Sequence, residues 1–343
     1  APGNALPVAG FDGFNMVAYA LCLAIGLAAF PQLVARSGAT VGLVDARRSA
    51  GWGLLVIGLT AATAPALAAF VRLAILRDAV GVELADLPDW IFDYGRSGLV
   101  EICGAAPLSA AAIGTACGAA TVVNGLQPTD IALSADLVTL GFADITGLPY
   151  ILTALIATGV IAAALGTAAA ALVTLANALG NDLLARIFAR RASGGRRLVL
   201  APLALVIVAA LAALVAYRQS GPVYAWALAA PAIAGAGLFP ALVLGVFWKR
   251  MTSLAALAAI LGGGGFTIAY VGLVLGGALA PVPVLGLTPG LAPAASGIVG
   301  AAIGFAAAVI VSLITPAPGI GRLAVVDAIR RPSPDPILED HAT

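Results

Sequence analysis

The segment "LPYILTALIATGVIAAALGTAAAALVTLANALGNDL", residues 148–183, decides the fold class of this chain. The run is almost wholly apolar and far too long for an ordinary core helix, yet it contains Thr167, Thr174 and Asn177. About 20 apolar residues in a helix cross the ~30 Å hydrocarbon core of a bilayer. The segment therefore predicts a membrane-spanning helix that begins near Pro149.

The composition of the whole chain agrees with a membrane protein. Of its 343 residues, 62% are hydrophobic and only 10% are charged, with a mean hydropathy of +1.07. Soluble domains carry about 25% charged residues. The net charge of +1 says little about partners, because almost all charged residues lie between the apolar runs, and the sequence shows no basic face for nucleic acid. The sequence has no nucleophile elbow, no paired catalytic carboxylates and one histidine, so we expect neither an enzyme nor a resident metal or other cofactor.

Seven stretches are long and apolar enough to span a membrane. They are residues 14–34, 50–75, 149–180, 198–217, 222–247, 253–279 and 296–315. The sequence thus predicts an all-α integral membrane protein. Residues 14–76 form its first two spans and residues 148–315 its other five. Residues 77–147, the intervening segment, are richer in polar and small residues and separate the two groups.

The arginine and lysine residues predict the orientation. Thirteen of the 17 fall in residues 35–49, 181–197, 248–252 and the tail after 315. The seven spans allow all four of these segments to lie on one side of the membrane. Such an excess marks the cytoplasmic side. We expect a multi-pass protein of the cytoplasmic (inner) membrane, with the tail 316–343 in the cytoplasm and residues 1–13 outside. Because residues 1–13 resemble no secretion signal, we expect them to begin a fragment of a longer protein.

The intervening segment is expected outside the membrane. Residues 99–123 could form an eighth span, but Glu101 and Pro107 argue against it, because a carboxylate within a span is costly. We expect a surface or re-entrant helix there. Cys103 and Cys117 could be joined if the segment is extracytoplasmic, although two free, buried thiols are the favoured prediction.

The helix of residues 149–180 carries a stripe of small and mildly polar side chains. At 100° per residue, one face collects Gly159, Ala163, Thr167, Ala170, Ala171 and Thr174, with Asn177 at its edge. Close packing against another helix explains such a stripe, and spacing alone favours that interpretation. The alternative is a cation site, where hydroxyl and carbonyl oxygens replace water around an ion such as sodium.

Proline interrupts two of the predicted spans. In "GLAAFPQLVAR", residues 26–36, Pro31 removes a backbone hydrogen bond, so the helix must bend or break. Broken helices in transporters mark binding sites, whereas a simple kink is the plainer alternative. Gln32 is the polar side chain best placed to meet a solute. Gly237 and Pro240 suggest a similar interruption in residues 236–252. The glycines at 262–265 suggest close helix packing, as do Gly300 and Gly304.

Several of these stretches resemble the solute:sodium symporter family, in particular its bacterial branch of acetate and other small-carboxylate permeases. The most specific is "FPALVLGVFWKR", residues 239–250, followed by residues 148–183, by residues 26–36 and by "ARRS" at 46–49. "DWIFDYGRSGLVEICGAAPLS", residues 89–109, also resembles that branch. The resemblance implies the inverted-repeat architecture of the leucine transporter, with this chain holding the second repeat and additional C-terminal helices.

The resemblance also implies a site. The solute would bind at the broken helix, at Gly26, Phe30, Pro31 and Gln32. Sodium, as the coupling ion, would meet the carbonyl of Ala163 and positions Gly166 and Thr167. The chain departs from the family where Gly166 replaces a serine, where Ala169 replaces an aspartate, and where Ala29 and Gln32 replace a glycine and a histidine.

The function implied is sodium-coupled symport of a small organic solute such as a carboxylate, by alternating access. The expected partners are that solute and the lipid bilayer, with the first repeat in a missing N-terminal half or a separate chain. The rival hypothesis is a membrane module that senses or scaffolds without transporting, or a truncated transporter remnant. Gly166 and the missing repeat favour the rival.

Overall fold

The computed structural model describes residues 13–37, 42–118, 125–180, 194–218, 223–283 and 290–319. Its helices are α1 (Gly13–Ala29), α2 (Pro31–Ser37), α3 (Leu43–Asp78), α4 (Asp89–Arg96), α5 (Ala110–Cys117), α6 (Ala135–Leu140), α7 (Phe142–Ile145), α8 (Tyr150–Asn177), α9 (Gly194–Arg218), α10 (Val223–Phe247), α11 (Ser253–Ala259), α12 (Gly265–Leu275) and α13 (Gly297–Ile314). The two strands are β1 (Val100–Ile102) and β2 (Ile131–Leu133). A π-helical turn (Ile260–Gly264) joins α11 to α12, and a 3-10 turn (Pro293–Ala295) precedes α13.

Six helical stretches of the described chain are long and apolar enough to cross a membrane. They are Gly13–Ala35, Val44–Asp78, Tyr150–Gly180, Val223–Phe247, Ser253–Leu275 and Pro293–Ile314. The remaining predicted span, 198–217, lies in α9, whose apolar part Pro202–Arg218 is shorter than any of these six stretches. The predicted all-α membrane fold is confirmed. Most of the expected outer start 1–13, of the segment 181–197 and of the tail 316–343 lies outside the described residues.

The chain divides into two compact units. One comprises Ala50–Leu165, and the other comprises the described residues of Gly10–Ser49 and Gly166–Thr343. The first unit contains the intervening segment, and the second contains α1, α2 and the helices from α9 onwards.

The intervening segment folds around an apolar core that it shares with the end of α3. Strands β1 and β2 pair antiparallel, with Val100 opposite Leu133 and Ile102 opposite Ile131. Alternate residues of β1 are buried, which follows from the two-residue period of a strand. The core residues are Val71, Ala74, Ile75, Ala79, Leu84, Leu87, Ile91, Val100, Ile102, Ile113, Leu126, Ile131, Leu137 and Ile145. Described residues 99–118 thus contain a strand and an eight-residue helix, which is too short to span a bilayer.

Cys103 and Cys117 form a disulfide bond. The prediction of two free thiols is therefore wrong. Cys103 has a φ of +51° and stands in a tight turn after β1, which reverses the chain before α5 begins. Because α5 ends at Cys117, the turn and the helix bring the two Cα atoms within 5.4 Å, a separation that a disulfide spans. The remaining described cysteine, Cys22, is buried and free.

Glycine and alanine line the helix contacts of the second unit, where α10 packs against α1 and α13. A Cβ atom built on Gly263 would lie 2.3 Å from the carbonyl oxygen of Ala236, and one built on Gly300 would lie 2.0 Å from the Thr267 hydroxyl. One on Gly304 would lie 2.9 Å from the same Ala236 oxygen. The predicted packing role of these glycines is confirmed, since any side chain would force the helices apart.

The predicted interruption at Gly237 and Pro240 is absent. Helix α10 continues from Val223 to Phe247 through both Pro231 and Pro240. Both prolines are buried, so neighbouring helices hold the segment in place where backbone hydrogen bonds are lost. The irregular backbone occurs instead in the glycine run, where Ile260–Gly264 form the π-helical turn.

Candidate functional site

The first membrane-spanning stretch is interrupted at its proline. Helix α1 ends at Ala29, α2 begins at Pro31, and Phe30 between them is not helical. The carbonyl oxygen of Phe30 accepts hydrogen bonds of 3.0 Å from the backbone N–H groups of both Leu33 and Val34. Pro31 has no N–H to donate, so the regular hydrogen-bond ladder is lost for this turn.

A cavity of about 460 Å³ lies beside this interruption. Residues of α1, α2, α8 and α10, and one residue just after α8, form its walls. They are Ala29, Pro31, Val34, Ala35, Thr174, Asn177, Ala178, Leu238 and Leu242. The volume falls within the ~300–1,000 Å³ of typical small-molecule sites. All of these residues belong to the second unit.

The polar side chains in this wall come from α8. Thr174 is partly buried, and its hydroxyl donates a 2.8 Å hydrogen bond to the carbonyl of Ala170, one turn earlier in the same helix. Asn177 is exposed and lines the cavity. None of the nine lining residues is charged. The site can offer hydrogen bonds and apolar contacts to a small molecule.

The predicted solute-binding residues occupy different environments. Pro31 lines the cavity, whereas Phe30 and Gln32 are half-buried and are not among its described lining residues. Gly26 is buried against α10, because a Cβ atom built on it would lie 2.1 Å from the carbonyl oxygen of Pro231. Close packing thus explains glycine at position 26 without a ligand. The solute-binding role of these four residues stays a prediction.

The predicted cation ligands lie on the surface of α8. Ala163, Gly166 and Thr167 are all exposed, and no other part of the described chain comes within 4 Å of a Cβ atom built on Gly166. None of the three is among the described residues of the cavity wall. Their role as ligands of sodium stays a prediction. Within the described ranges no cluster of His, Cys, Asp or Glu could hold a metal ion.

The sequence places Thr174 on the stripe of α8 that is either a packing face or a cation site, with Asn177 at its edge, but it predicts no solute contact for either residue. Their spacing of three residues puts them on one side of α8, and this was the signal available in the sequence. The facing wall, Leu238 and Leu242 of α10, is apolar and carries no signal of its own. Only the packing of the helices identifies it as part of a cavity.

Comparisons with known proteins agree with these observations. The sequence profile of the Sodium:solute symporter family matches residues 109–263. An uncharacterized symporter of Cupriavidus necator is 35% identical over 312 residues, which cover 90% of this chain and 44% of that relative. The high-affinity proline transporter PutP of Bacillus subtilis is 30% identical over 125 residues, covering 35% of this chain and 25% of the transporter. No solved structure is significantly similar to the chain.

The chain thus spans less than half the length of the Cupriavidus necator symporter, although the match covers most of the chain itself. A third relative, the osmoregulated proline transporter OpuE of Bacillus subtilis, is 26% identical over 126 residues. The matched family and these relatives are transporters, which confirms the prediction that the chain is not an enzyme. The family profile includes α5 to α11 and ends at Gly263, before α12 begins, and the six apolar helices form a multi-pass membrane protein. On this evidence the chain resembles the sodium:solute symporter family through residues 109–263, and it resembles a symporter over 90% of its own length.

Proposed function

We propose that this chain takes part in secondary active transport, namely the sodium-coupled symport of a small organic solute such as a carboxylate. The observation that carries the proposal is the cavity of about 460 Å³ beside the broken helix at Pro31. Irregular backbone within a membrane is tolerated where it is buried in protein or lines a water-filled cavity. The match to the symporter family profile, together with relatives that are transporters, supports the same function.

The proposed mechanism is alternating access. The chain would supply the second of two inverted repeats and the additional C-terminal helices, and the first repeat would lie elsewhere in the protein or in a separate chain. Solute would bind near Pro31 and Gln32, and movement of one repeat against the other would open the site to each side in turn. The coupling ion would act by stabilising one arrangement more than the other.

Sodium is the proposed coupling ion, with the Thr167 hydroxyl as its side-chain ligand and the nearby backbone of α8 as a source of carbonyl oxygens. Hard cations prefer oxygen ligands. Since Thr167 is exposed on α8, the proposal requires further ligands from another part of the transporter. Position 166 can contribute only its backbone, because it is glycine.

The proposed orientation places the intervening segment outside the cell and the C-terminal tail in the cytoplasm of the inner membrane. The distribution of arginine and lysine supports it. The disulfide between Cys103 and Cys117 supports it independently, because disulfides persist in oxidising compartments and are rare in the cytosol.

The test is uptake of radiolabelled acetate into membrane vesicles that contain the complete protein. We expect an inward sodium gradient to drive accumulation, and we expect replacement of sodium by potassium to abolish it. Vesicles from cells without the protein are the control. Accumulation that follows a proton gradient and ignores sodium would refute the coupling ion. Absence of uptake for acetate, longer carboxylates and proline would favour a sensing or scaffolding module.

A further inference from the structure

We infer that the cavity beside Pro31 is the site from which the solute leaves on the cytoplasmic side, and that the Asn177 side-chain amide hydrogen-bonds its carboxylate there. This inference rests on the proposed function and adds to it a binding site on the release pathway. It also assigns a role to a residue that the proposed sodium and solute sites do not include.

The position of the cavity along its helices supports release towards the cytoplasm. Its walls come from the later parts of the helices: Pro31 follows the end of α1, Asn177 is the last residue of α8, and Leu242 is near the end of α10. In the proposed orientation, each of these helices begins outside and ends at the arginine-rich side. The cavity therefore lies between the membrane centre and the cytoplasm.

Hydrogen bonding singles out Asn177 within the wall. The Thr174 hydroxyl already donates to the carbonyl of Ala170, so its proton is engaged. The Asn177 amide has no hydrogen-bond partner in the part of the chain that the structure describes, and its NH₂ group can donate to a carboxylate oxygen. Val34, Leu238 and Leu242 present only hydrocarbon, so they do not compete for the solute's polar atoms.

The absence of charged residues in the described wall suits a site that binds its solute weakly and releases it. A guanidinium or ammonium group would form charge-assisted hydrogen bonds to a carboxylate, which are about twice as strong as neutral ones. A neutral amide orients the same group but holds it weakly. The volume points in the same direction, because a cavity of about 460 Å³ is larger than a small carboxylate needs, so the carboxylate can stay partly hydrated.

The first experiment measures efflux from proteoliposomes that contain the complete protein and are loaded with labelled acetate. We expect Asn177→Leu to raise the internal acetate concentration for half-maximal efflux about 2- to 12-fold, as expected for one lost hydrogen bond. Asn177→Asp should raise it further, because its carboxylate repels the solute. Asn177→Gln should restore part of the loss. The control is Thr158→Val, which removes a hydroxyl of α8 that bonds to the carbonyl of Ala154 outside the cavity.

The second experiment does not depend on transport by an altered protein. Asn177→Cys is labelled with N-ethylmaleimide in inside-out vesicles, and its labelling is compared with that of the unsubstituted protein. We expect acetate, or L-proline if the carboxylate belongs to an amino acid, to slow the labelling, and glucose to leave it unchanged. If the wild-type protein transports acetate but Asn177→Leu leaves efflux unchanged, the inference is overturned. It is also overturned if the wild-type protein transports and neither acetate nor L-proline slows the labelling of Asn177→Cys. Absence of wild-type transport would instead refute the proposed function.

Discussion

Asn15, near the start of α1, and Ala292, 277 residues later, are joined by a 2.8 Å hydrogen bond from the Ala292 backbone N–H to the side-chain oxygen of Asn15. The amide nitrogen of Asn15 donates a second 2.8 Å bond to the carbonyl of Gly290. One buried side chain therefore satisfies both a donor and an acceptor of the segment that precedes α13. The first turn of α1 is fixed to that segment.

Asn15→Leu should destabilise the protein by about 1–3 kcal/mol, because it leaves the buried carbonyl of Gly290 and the partly buried N–H of Ala292 without their partner. The measurement is the melting temperature of the detergent-solubilised complete protein, followed by intrinsic fluorescence. Asn177→Leu, which replaces the same amide at an exposed position, is the matched control and should change stability by about 0.5 kcal/mol or less. Equal melting temperatures for the two variants would show that the Asn15 contacts contribute nothing.

Gly26→Ala should weaken the contact between α1 and α10. The added methyl group would lie 2.1 Å from the carbonyl oxygen of Pro231, and backbone cannot move aside as a flexible side chain can. Overpacking of this kind costs about 1–3 kcal/mol. Gly272→Ala is the control, since no atom lies within 4 Å of a Cβ atom built there and alanine favours a helix more than glycine does. We expect the melting temperature to fall for the first variant and to hold or rise for the second.

Cys103 and Cys117 should react with a maleimide–polyethylene glycol reagent only after reduction. The denatured protein, labelled with and without dithiothreitol, should gain two modified thiols on reduction at these positions. The double variant Cys103→Ser/Cys117→Ser should lack that gain, while Cys22 accounts for one thiol that is free under both conditions. Labelling of either cysteine in the non-reduced protein would contradict the bond.

Tyr94 should ionise at unusually high pH. Burial of its phenol, and then the 2.6 Å hydrogen bond to Asp144 and the charge of that carboxylate, raise the pKa of Tyr94 from its ordinary 10.0 to about 12. Since the neutral form is favoured in the folded protein, this contribution to stability is complete below about pH 10 and is lost as the pH rises to about 12. The difference in absorbance at alkaline pH between wild type and Tyr94→Phe should titrate near that upper value. A difference that titrates at the ordinary pKa would refute the contact.

Thr167→Ala in the complete protein should raise the sodium concentration needed for half-maximal uptake, because the proposed side-chain oxygen ligand is removed. Thr158→Ala changes the same residue type on the same helix at a position with no proposed ligand role. It should leave the sodium dependence unchanged. Sodium titrations of acetate uptake that superimpose for wild type and Thr167→Ala would remove the ligand role.

The parts of this fold that could be predicted are those that local chemistry determines. Very long apolar runs require a membrane, and Pro31 lacks an N–H in any surroundings. Within the glycine run, Gly263 and Gly264 permit close approach of helices. Each of these depends on a residue and its near neighbours in sequence.

The features that could not be predicted depend on contacts across the chain. The disulfide requires the turn at Cys103 and the length of α5 together, and neither is visible in the cysteine spacing alone. Helix α10 stays helical through Pro240 because neighbouring helices pack against it. Asn177 acquires its place in a cavity only through the packing of α2 and α10 beside α8, to which its own sequence context gives no clue.

The π-helical turn at Ile260–Gly264 has a consequence for the faces of its span. Such a turn accommodates one residue more than an α-helical turn, and each residue advances a helix by about 100°. Ala255 and Ala259 are fully buried before the turn, where α11 packs on α13. Deletion of a single glycine would straighten the span and rotate those alanines away from their neighbour. A sequence alignment that closes this one-residue insertion would consequently assign the whole first half of the span to the wrong side of the helix.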